Sequence, residues 1–255
     1  MPALILDCDG VLAETERDGH LPAFNQTFAE FGLPVRWTPE GYAAQLALAG
    51  GRERLASMLS AEFVRAAGLP ADPTAQQAQV DRWHRRKTTI FTERVAAGHV
   101  AGRPGVVRLV DEALGAGWRL AVASAAAEAA VRAVLTQIVG PARAARFALF
   151  AGDIVARKKP APDIYQLALG RLGFAPSDAL VIEDSRQGLC AAVAAGIRCI
   201  ITPSSYTAGE PFDEAIMVIS HLGDPGAPLE VLANRGRATP GAALTVRDLA
   251  ACLRP

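Results

Sequence analysis

Leu4-Ile5-Leu6-Asp7-Cys8-Asp9-Gly10-Val11-Leu12 is a short apolar run that ends in two carboxylates and a glycine. Before Asp7 the run is apolar at every position, the pattern of a strand buried on both faces of a parallel sheet. Side chains alternate along a strand, so Asp7 and Asp9 leave the same side where the strand ends. Gly10 permits the sharp backbone turn that follows. Two carboxylates this close repel unless a cation lies between them or one keeps a proton. Both remedies serve chemistry. Mg2+ takes one or two carboxylates together with substrate phosphate, and a carboxylate beside a second carboxyl group is a workable nucleophile. A strand end with a solvated aspartate turn is the plain alternative for this stretch taken alone.

Outward from that strand the pattern changes. Residues from about 15 to 100 contain no convincing strand. Phe24, Phe28 and Phe31 recur at helical spacing, with Thr15 or Asp18 expected as the cap, and Gly32, Pro34 and Pro39 break the helix. Further helices are expected near 39–48, 52–67 and 74–97, separated by Gly50-Gly51 and by the Gly68–Pro73 segment. From Gly102-Arg103-Pro104-Gly105 onward, helices over 106–116, 128–139, 164–172 and 188–195 alternate with apolar strands over 118–123, 147–150, 179–182 and 197–201. This alternation specifies an α/β fold with a doubly wound parallel sheet. Met217-Val218-Ile219 is a candidate last strand, residues 223–241 read as loop, and 244–253 as a closing helix. The expected organisation is an α/β core made of 1–14 and 98–255, interrupted by an all-helical insert over 15–97.

Composition excludes several classes. The 255 residues carry 26 Lys plus Arg against 26 Asp plus Glu, so no global field points to nucleic acid or an anionic membrane. No apolar run approaches membrane length, and the first strand begins almost at Met1 without a basic lead or apolar signal core. The expectation is a cytoplasmic monomer that binds a small molecule. Cys8, Cys190, Cys199 and Cys252 show no C-x-x-C spacing, which argues against zinc and a disulfide framework. Cys8 does not fit a cysteine phosphatase either, because Glu14 stands where such an enzyme needs a phosphate-binding Arg.

Open parallel sheets bind ligands at the carboxyl ends of their strands. Four strand ends here carry polar groups: Asp7 with Asp9, Ser124, the loop holding Lys158-Lys159-Pro160, and Glu183-Asp184. A nucleophile, a hydroxyl donor, a cation and an acidic pair together suit phosphoryl transfer, where charge on the equatorial oxygens must be matched. Each is ordinary alone: Ser124 as a strand-end cap, the lysines as a solvated pair, Glu183-Asp184 as a helix cap.

In order and spacing, Asp7-x-Asp9-Gly10-Val11, Ser124, Lys159-Pro160 and Glu183-Asp184-Ser185 resemble the four motifs of haloacid-dehalogenase-superfamily phosphohydrolases. The helical insert resembles their cap. The resemblance implies that Asp7 becomes an aspartyl phosphate and that Asp9 protonates the leaving alkoxide and then activates water. It further implies that Ser124 and Lys159 hold the phosphoryl group. Mg2+ would be bound by Asp7, Asp184, the Asp9 carbonyl and Glu183, the last as ligand or orienting group. Asp9 argues against a dehalogenase or a phosphonatase, where that aspartate is missing or replaced.

The insert narrows the likeness. Glu14, His20, the Gly50-Gly51-Arg52-Glu53-Arg54 segment and His84-x-x-Lys87-Thr88 resemble CbbY-type phosphatases, as do Arg103-Pro104-Gly105-Val106, Lys159 through Tyr165, and Ser205-Tyr206-Thr207. That group is associated with xylulose 1,5-bisphosphate. A bisphosphate needs a second cationic pocket, for which Arg52 and Lys87 are the candidates, with Arg54 beside them. Glu14, His20 and His84 are candidates for the sugar hydroxyls. β-Phosphoglucomutase, a sugar-monophosphate phosphatase and a non-catalytic phosphosugar-binding module are the alternatives.

Overall fold

The computed structural model describes residues 1–254. They form two compact units, residues 1–14 with 101–254, and Thr15–Val100. No helix among the described residues is long and apolar enough to cross a membrane.

The first unit is built on one seven-stranded sheet. Its strands are β1 (Ala3–Leu6), β2 (Arg119–Ser124), β3 (Phe147–Ala151), β4 (Ala179–Glu183), β5 (Arg198–Ile201), β6 (Met217–Ile219) and β7 (Val231–Asn234), in spatial order β3-β2-β1-β4-β5-β6-β7. All pairings are parallel except β6 with β7. Chain order moves outward from β1 through β2 to β3, then resumes at β4 on the other side. The reversal places a topological switch point beside β1, where open α/β sheets bind ligands. β1 is buried at all four positions, as a strand covered on both faces must be. One face of the sheet carries Ile5, Ala121, Ala123, Val181, Cys199 and Ile201 into a core shared with Tyr165 and Leu189.

The second unit is all helical. A π-helical turn at Glu16–His20 runs into α1 (Leu21–Glu30), followed by α2 (Pro39–Gln45), α3 (Gly51–Ala56), α4 (Ala61–Ala66) and α5 (Pro73–Ala96). Phe24, Phe28, Trp37 and Tyr42 pack ring against ring. The first unit's helices are α6 (Val106–Gly115), α7 (Glu128–Val139), α8 (Pro141–Ala144), α9 (Asp163–Leu172), α10 (Arg186–Ala194) and α11 (Val246–Cys252).

Four expectations need correction. Neither Thr15 nor Asp18 caps the first helix: Thr15 is itself helical, its side chain makes no capping bond, and Asp18 lies within the π turn. The helix expected over 52–67 is two, because Ser60 turns extended and accepts the Phe63 N–H as a new N-cap. The helix expected at 188 begins at Arg186, where the Ser185 hydroxyl caps it by accepting the Gly188 N–H. The 223–241 segment is not all loop. Val231–Asn234 adds an antiparallel edge strand, mostly exposed, whose apolar run is shorter than those of the central strands.

Candidate active site

Register assembles the site. Leu6 lies opposite Ile182 of β4 and Val122 of β2, so the next residues in line are Asp7, Glu183 and Ala123. The Asp7 N–H extends the ladder by donating to the Ile182 carbonyl at 2.9 Å. Ser124 ends β2 one residue further on, with its hydroxyl oxygen accepting the Ala126 N–H at 3.1 Å.

Lys159 ties these ends together. Its ammonium donates to Asp7 Oδ1 at 2.7 Å, to the Ala123 carbonyl at 2.8 Å and to Glu183 Oε1 at 2.5 Å. Lys158 instead pairs with Asp153 at 2.8 Å, so Lys159 is the inward lysine. The Tyr165 hydroxyl, from α9, donates to the same Glu183 oxygen at 2.6 Å, and Lys159 Nζ lies 5.1 Å from the centre of the Tyr165 ring. The other Glu183 oxygen accepts the Asp184 N–H at 3.1 Å. Asp184 Oδ2 accepts the Thr207 hydroxyl at 3.3 Å.

Asp7, Glu183 and Asp184 each present a carboxylate oxygen within 4.8 Å of the others, and all three residues are buried. Against them stands one buried lysine. Burial pushes the Asp7 carboxyl up to about 8; Lys159 pulls it down, and Glu183 and Asp9 push it up. Burial pulls the Lys159 ammonium down, yet Asp7 and Glu183 outweigh it and hold its pKa above the ordinary lysine value. Burial, assisted by the charges of Glu183 and Asp7, raises the Tyr165 phenol well above its usual range and keeps it a donor. An all-oxygen, buried donor set with surplus negative charge fits a hard divalent cation. Asp9, expected as a ligand through its backbone carbonyl, adds no carboxylate to this cluster. It is half-buried in the turn closed by the Gly10 N–H on the Ala13 carbonyl at 2.9 Å.

Two glycines make room. Gly10 has φ +75°, and a Cβ there would lie 2.2 Å from Asp184 Oδ2. A Cβ on Gly188 would lie 1.9 Å from the Glu183 carboxyl carbon. The sequence reading assigns no chemical role to Gly188, Tyr165 or Thr207: Tyr165 and Thr207 stand there only within motif segments, and only the fold shows that they touch Glu183 and Asp184 and that Gly188 faces Glu183.

The remaining candidates are placed as follows. Glu14 Oε2 accepts the Ser205 hydroxyl at 3.0 Å in the first unit. Within the helical unit, Arg52 pairs with Asp81 at 2.7 Å and keeps a part-exposed side chain. Arg54 is buried and bonded at all three nitrogens: Nε donates to the Leu48 carbonyl at 3.0 Å, and the other two donate to Glu16 and the Tyr42 hydroxyl. A guanidinium so occupied braces the unit. Lys87 Nζ lies 2.6 Å from His20 Nδ1 and over the rings of Phe24 and Phe91, and His20 stacks on Phe91. The His84 ring lies beside Gly51, 3.5 Å from where a Cβ would be.

A family model described as haloacid dehalogenase-like hydrolase matches residues 1–196. The chain belongs to that family. It is therefore an enzyme, a haloacid dehalogenase-like hydrolase. This hydrolase is 43% identical over 255 residues to the plasmid-encoded protein CbbY of Cupriavidus necator, covering 98% of this chain and 95% of that one. It is 43% identical to a CBBY-like protein of Arabidopsis thaliana over 88% of this chain and 70% of the relative. The crystal structure of CbbY from Rhodobacter sphaeroides in complex with phosphate superposes with a TM-score of 0.76 at 40% identity, covering 87% of this chain and 95% of that one. A mutant of that CbbY, crystallised with xylulose 1,5-bisphosphate, matches equally.

Proposed function

We propose that this hydrolase is a Mg2+-dependent phosphatase that removes one phosphate from xylulose 1,5-bisphosphate through an aspartyl-phosphate intermediate. The observation that carries the reading is the buried Asp7 carboxylate, held by Lys159 on Oδ1 and grouped with Glu183 and Asp184. The bisphosphate bound to the 40%-identical CbbY mutant supports the choice of substrate.

Asp7 Oδ2 attacks phosphorus. A carboxylate O–P bond forms, the P–O bond to the sugar breaks, and Asp9 gives its proton to the departing alkoxide. Water then attacks the acyl phosphate, Asp9 takes a proton from it, and inorganic phosphate leaves with Asp7 restored. Ser124 and Lys159 compensate charge on the phosphoryl oxygens. Asp7, Asp184 and the Asp9 carbonyl would hold Mg2+. Glu183, already bonded to Lys159, Tyr165 and the Asp184 N–H, orients its neighbours. When bound, the cation supplies the positive charge that this acidic cluster lacks and that the transferring phosphoryl group requires.

The helical unit serves as the cap and reads the rest of the substrate. Arg52 and Lys87 are assigned to the second phosphate, with Gly50 and Gly51 shaping the turn that carries Arg52. Glu14, His20 and His84 are assigned to the sugar hydroxyls. Arg54 supports the turn through the Leu48 carbonyl instead of touching substrate.

The test is phosphate release with Mg2+ over a panel of xylulose 1,5-bisphosphate, ribulose 1,5-bisphosphate and sugar monophosphates. The highest kcat/KM is expected for xylulose 1,5-bisphosphate, and a higher value for any other member refutes that substrate. Asp7→Asn should abolish release; a variant that still turns over at the wild-type rate removes Asp7 from the mechanism.

A further inference from the structure

Arg103 follows Gly102 at the start of the first unit's long second segment, with its side chain largely covered. Its guanidinium donates to four backbone carbonyls: Gly10, Thr202 at 2.8 Å, Pro203 at 2.9 Å and Ser220 at 2.6 Å. These carbonyls lie in the loops beyond β1, β5 and β6. Arg103's own N–H donates to the Leu12 carbonyl at 2.9 Å, and Glu14 Oε1 lies 3.8 Å from its Nε. Arg103 thus grips the Asp9-bearing turn at two points, Gly10 and Leu12, and fastens it to the loops after β5 and β6. The turn also closes on itself through two local bonds, Gly10 N–H to the Ala13 carbonyl and Leu12 N–H to the Cys8 carbonyl, and a bridge pairs Ala13 with Gly102, next to Arg103. Asp7 is fixed independently, by the β4 ladder and by Lys159.

From this asymmetry we propose that Arg103 is a positioning residue for Asp9: it holds the turn so that the Asp9 carboxyl stands ready to protonate the leaving group. Only a planar guanidinium has donors enough to span these carbonyls at once; an ammonium is a point charge with a different reach. The inference rests on the proposed mechanism, in which Asp9 is the general acid.

The leaving group provides the readout. Departure of a sugar alkoxide needs a proton, whereas p-nitrophenolate leaves without one. kcat/KM reports the steps through phosphoryl transfer and excludes later hydrolysis of the acyl phosphate, which is common to both substrates. For Arg103→Lys and Arg103→Gln, kcat/KM for xylulose 1,5-bisphosphate should fall by roughly tenfold or more, within the range general acid catalysis contributes. The value for p-nitrophenyl phosphate should fall several-fold less. A partly folded sample lowers both values alike and leaves their ratio unchanged. Asp9→Asn is the control for the mechanism. If it too shows no leaving-group discrimination, the general-acid assignment fails. If Asp9→Asn discriminates and the Arg103 variants lower both substrates equally, or lower neither, the positioning role alone is overturned. Failure of both Arg103 variants to fold would assign Arg103 to the stability of the sheet edge and equally overturn it.

Discussion

Gly188→Ala is the sharpest probe of how Glu183 is held. Gly188 lies in α10 with an ordinary negative φ, and Ala there gains roughly 1 kcal/mol over Gly from helix propensity alone. Local reasoning therefore predicts a more stable protein, and the structure predicts the reverse. The new Cβ would lie 1.9 Å from the Glu183 carboxyl carbon and 2.0 and 2.1 Å from its oxygens. Non-bonded carbons prefer about 3.5–4.0 Å, so the carboxylate or the helix must give way by roughly 1.5 Å. A displaced carboxylate loses the Lys159 bond at 2.5 Å and the Tyr165 bond at 2.6 Å. Both end on an ionised carboxylate and are charge-assisted, each worth about 1.5–3 kcal/mol. Set against the propensity gain of about 1 kcal/mol, the net expectation is a loss of about 2–5 kcal/mol in urea unfolding. Phosphatase activity should fall by about 10²-fold, because Lys159 loses one of its three anchors and a 1 Å misplacement costs on that order. A variant stabilised by about 1 kcal/mol with wild-type kcat would show that Glu183 is not confined by Gly188, and the account of its orienting role would go with it.

Three further outcomes follow from the same geometry. Mg2+ at about a hundred times its dissociation constant should stabilise the protein by about 2.7 kcal/mol, seen as a rise in Tm that Asp184→Asn loses; an unchanged Tm shift in that variant places the cation elsewhere. In metal-free protein the Asp7 carboxyl titrates near 8 against 3.8 in the unfolded chain, so between those values the folded state holds a proton that the unfolded state has released. Stability in chelator should therefore fall as pH rises through that window, and Asp7→Asn should flatten the fall; parallel urea-midpoint profiles for the two proteins would contradict it. Arg52→Ala should raise KM for xylulose 1,5-bisphosphate by roughly tenfold or more, the worth of a charge-assisted bond, and leave KM for monophosphates within about twofold. Equal effects on both would mean that Arg52, with its partner Asp81, braces the helical unit and does not read the second phosphate.

The sheet was legible because its strands are buried on both faces and so announce themselves as apolar runs bounded by polar ends. β7 escaped for the opposite reason. At the sheet edge its side chains are mostly exposed, and its apolar run, Val231-Leu232-Ala233, is short and lies in a segment whose glycines and prolines read as loop. The helical unit was legible as helical but not in its divisions, since Ser60 caps a new helix through a local hydroxyl bond that leaves no mark on hydrophobic periodicity.

In the site, what could be read was what the strand ends carry: Asp7, Ser124, Lys159, Glu183 and Asp184 each follow an apolar run or precede a proline at a place where chemistry is expected. The parts that hold them could not, because their partners are set by tertiary contact. Tyr165 reaches Glu183 only because α9 packs against the face of the sheet that carries Val181. Thr207 reaches Asp184 only because the loop after β5 folds back beside β4. Arg54 shows the same limit from the other side. Its place in a Gly-Gly-Arg-x-Arg segment suits an anion, yet Glu16 and Tyr42, distant in sequence, occupy its donors. A charged residue's type and spacing identify the ligand it can take. Whether it is available to take one depends on how many of its donors the fold has already satisfied, and a buried guanidinium with five donors is almost always satisfied from within. Arg52, whose recorded partner is one carboxylate at a part-exposed site, is for that reason the better candidate of the two for a substrate phosphate.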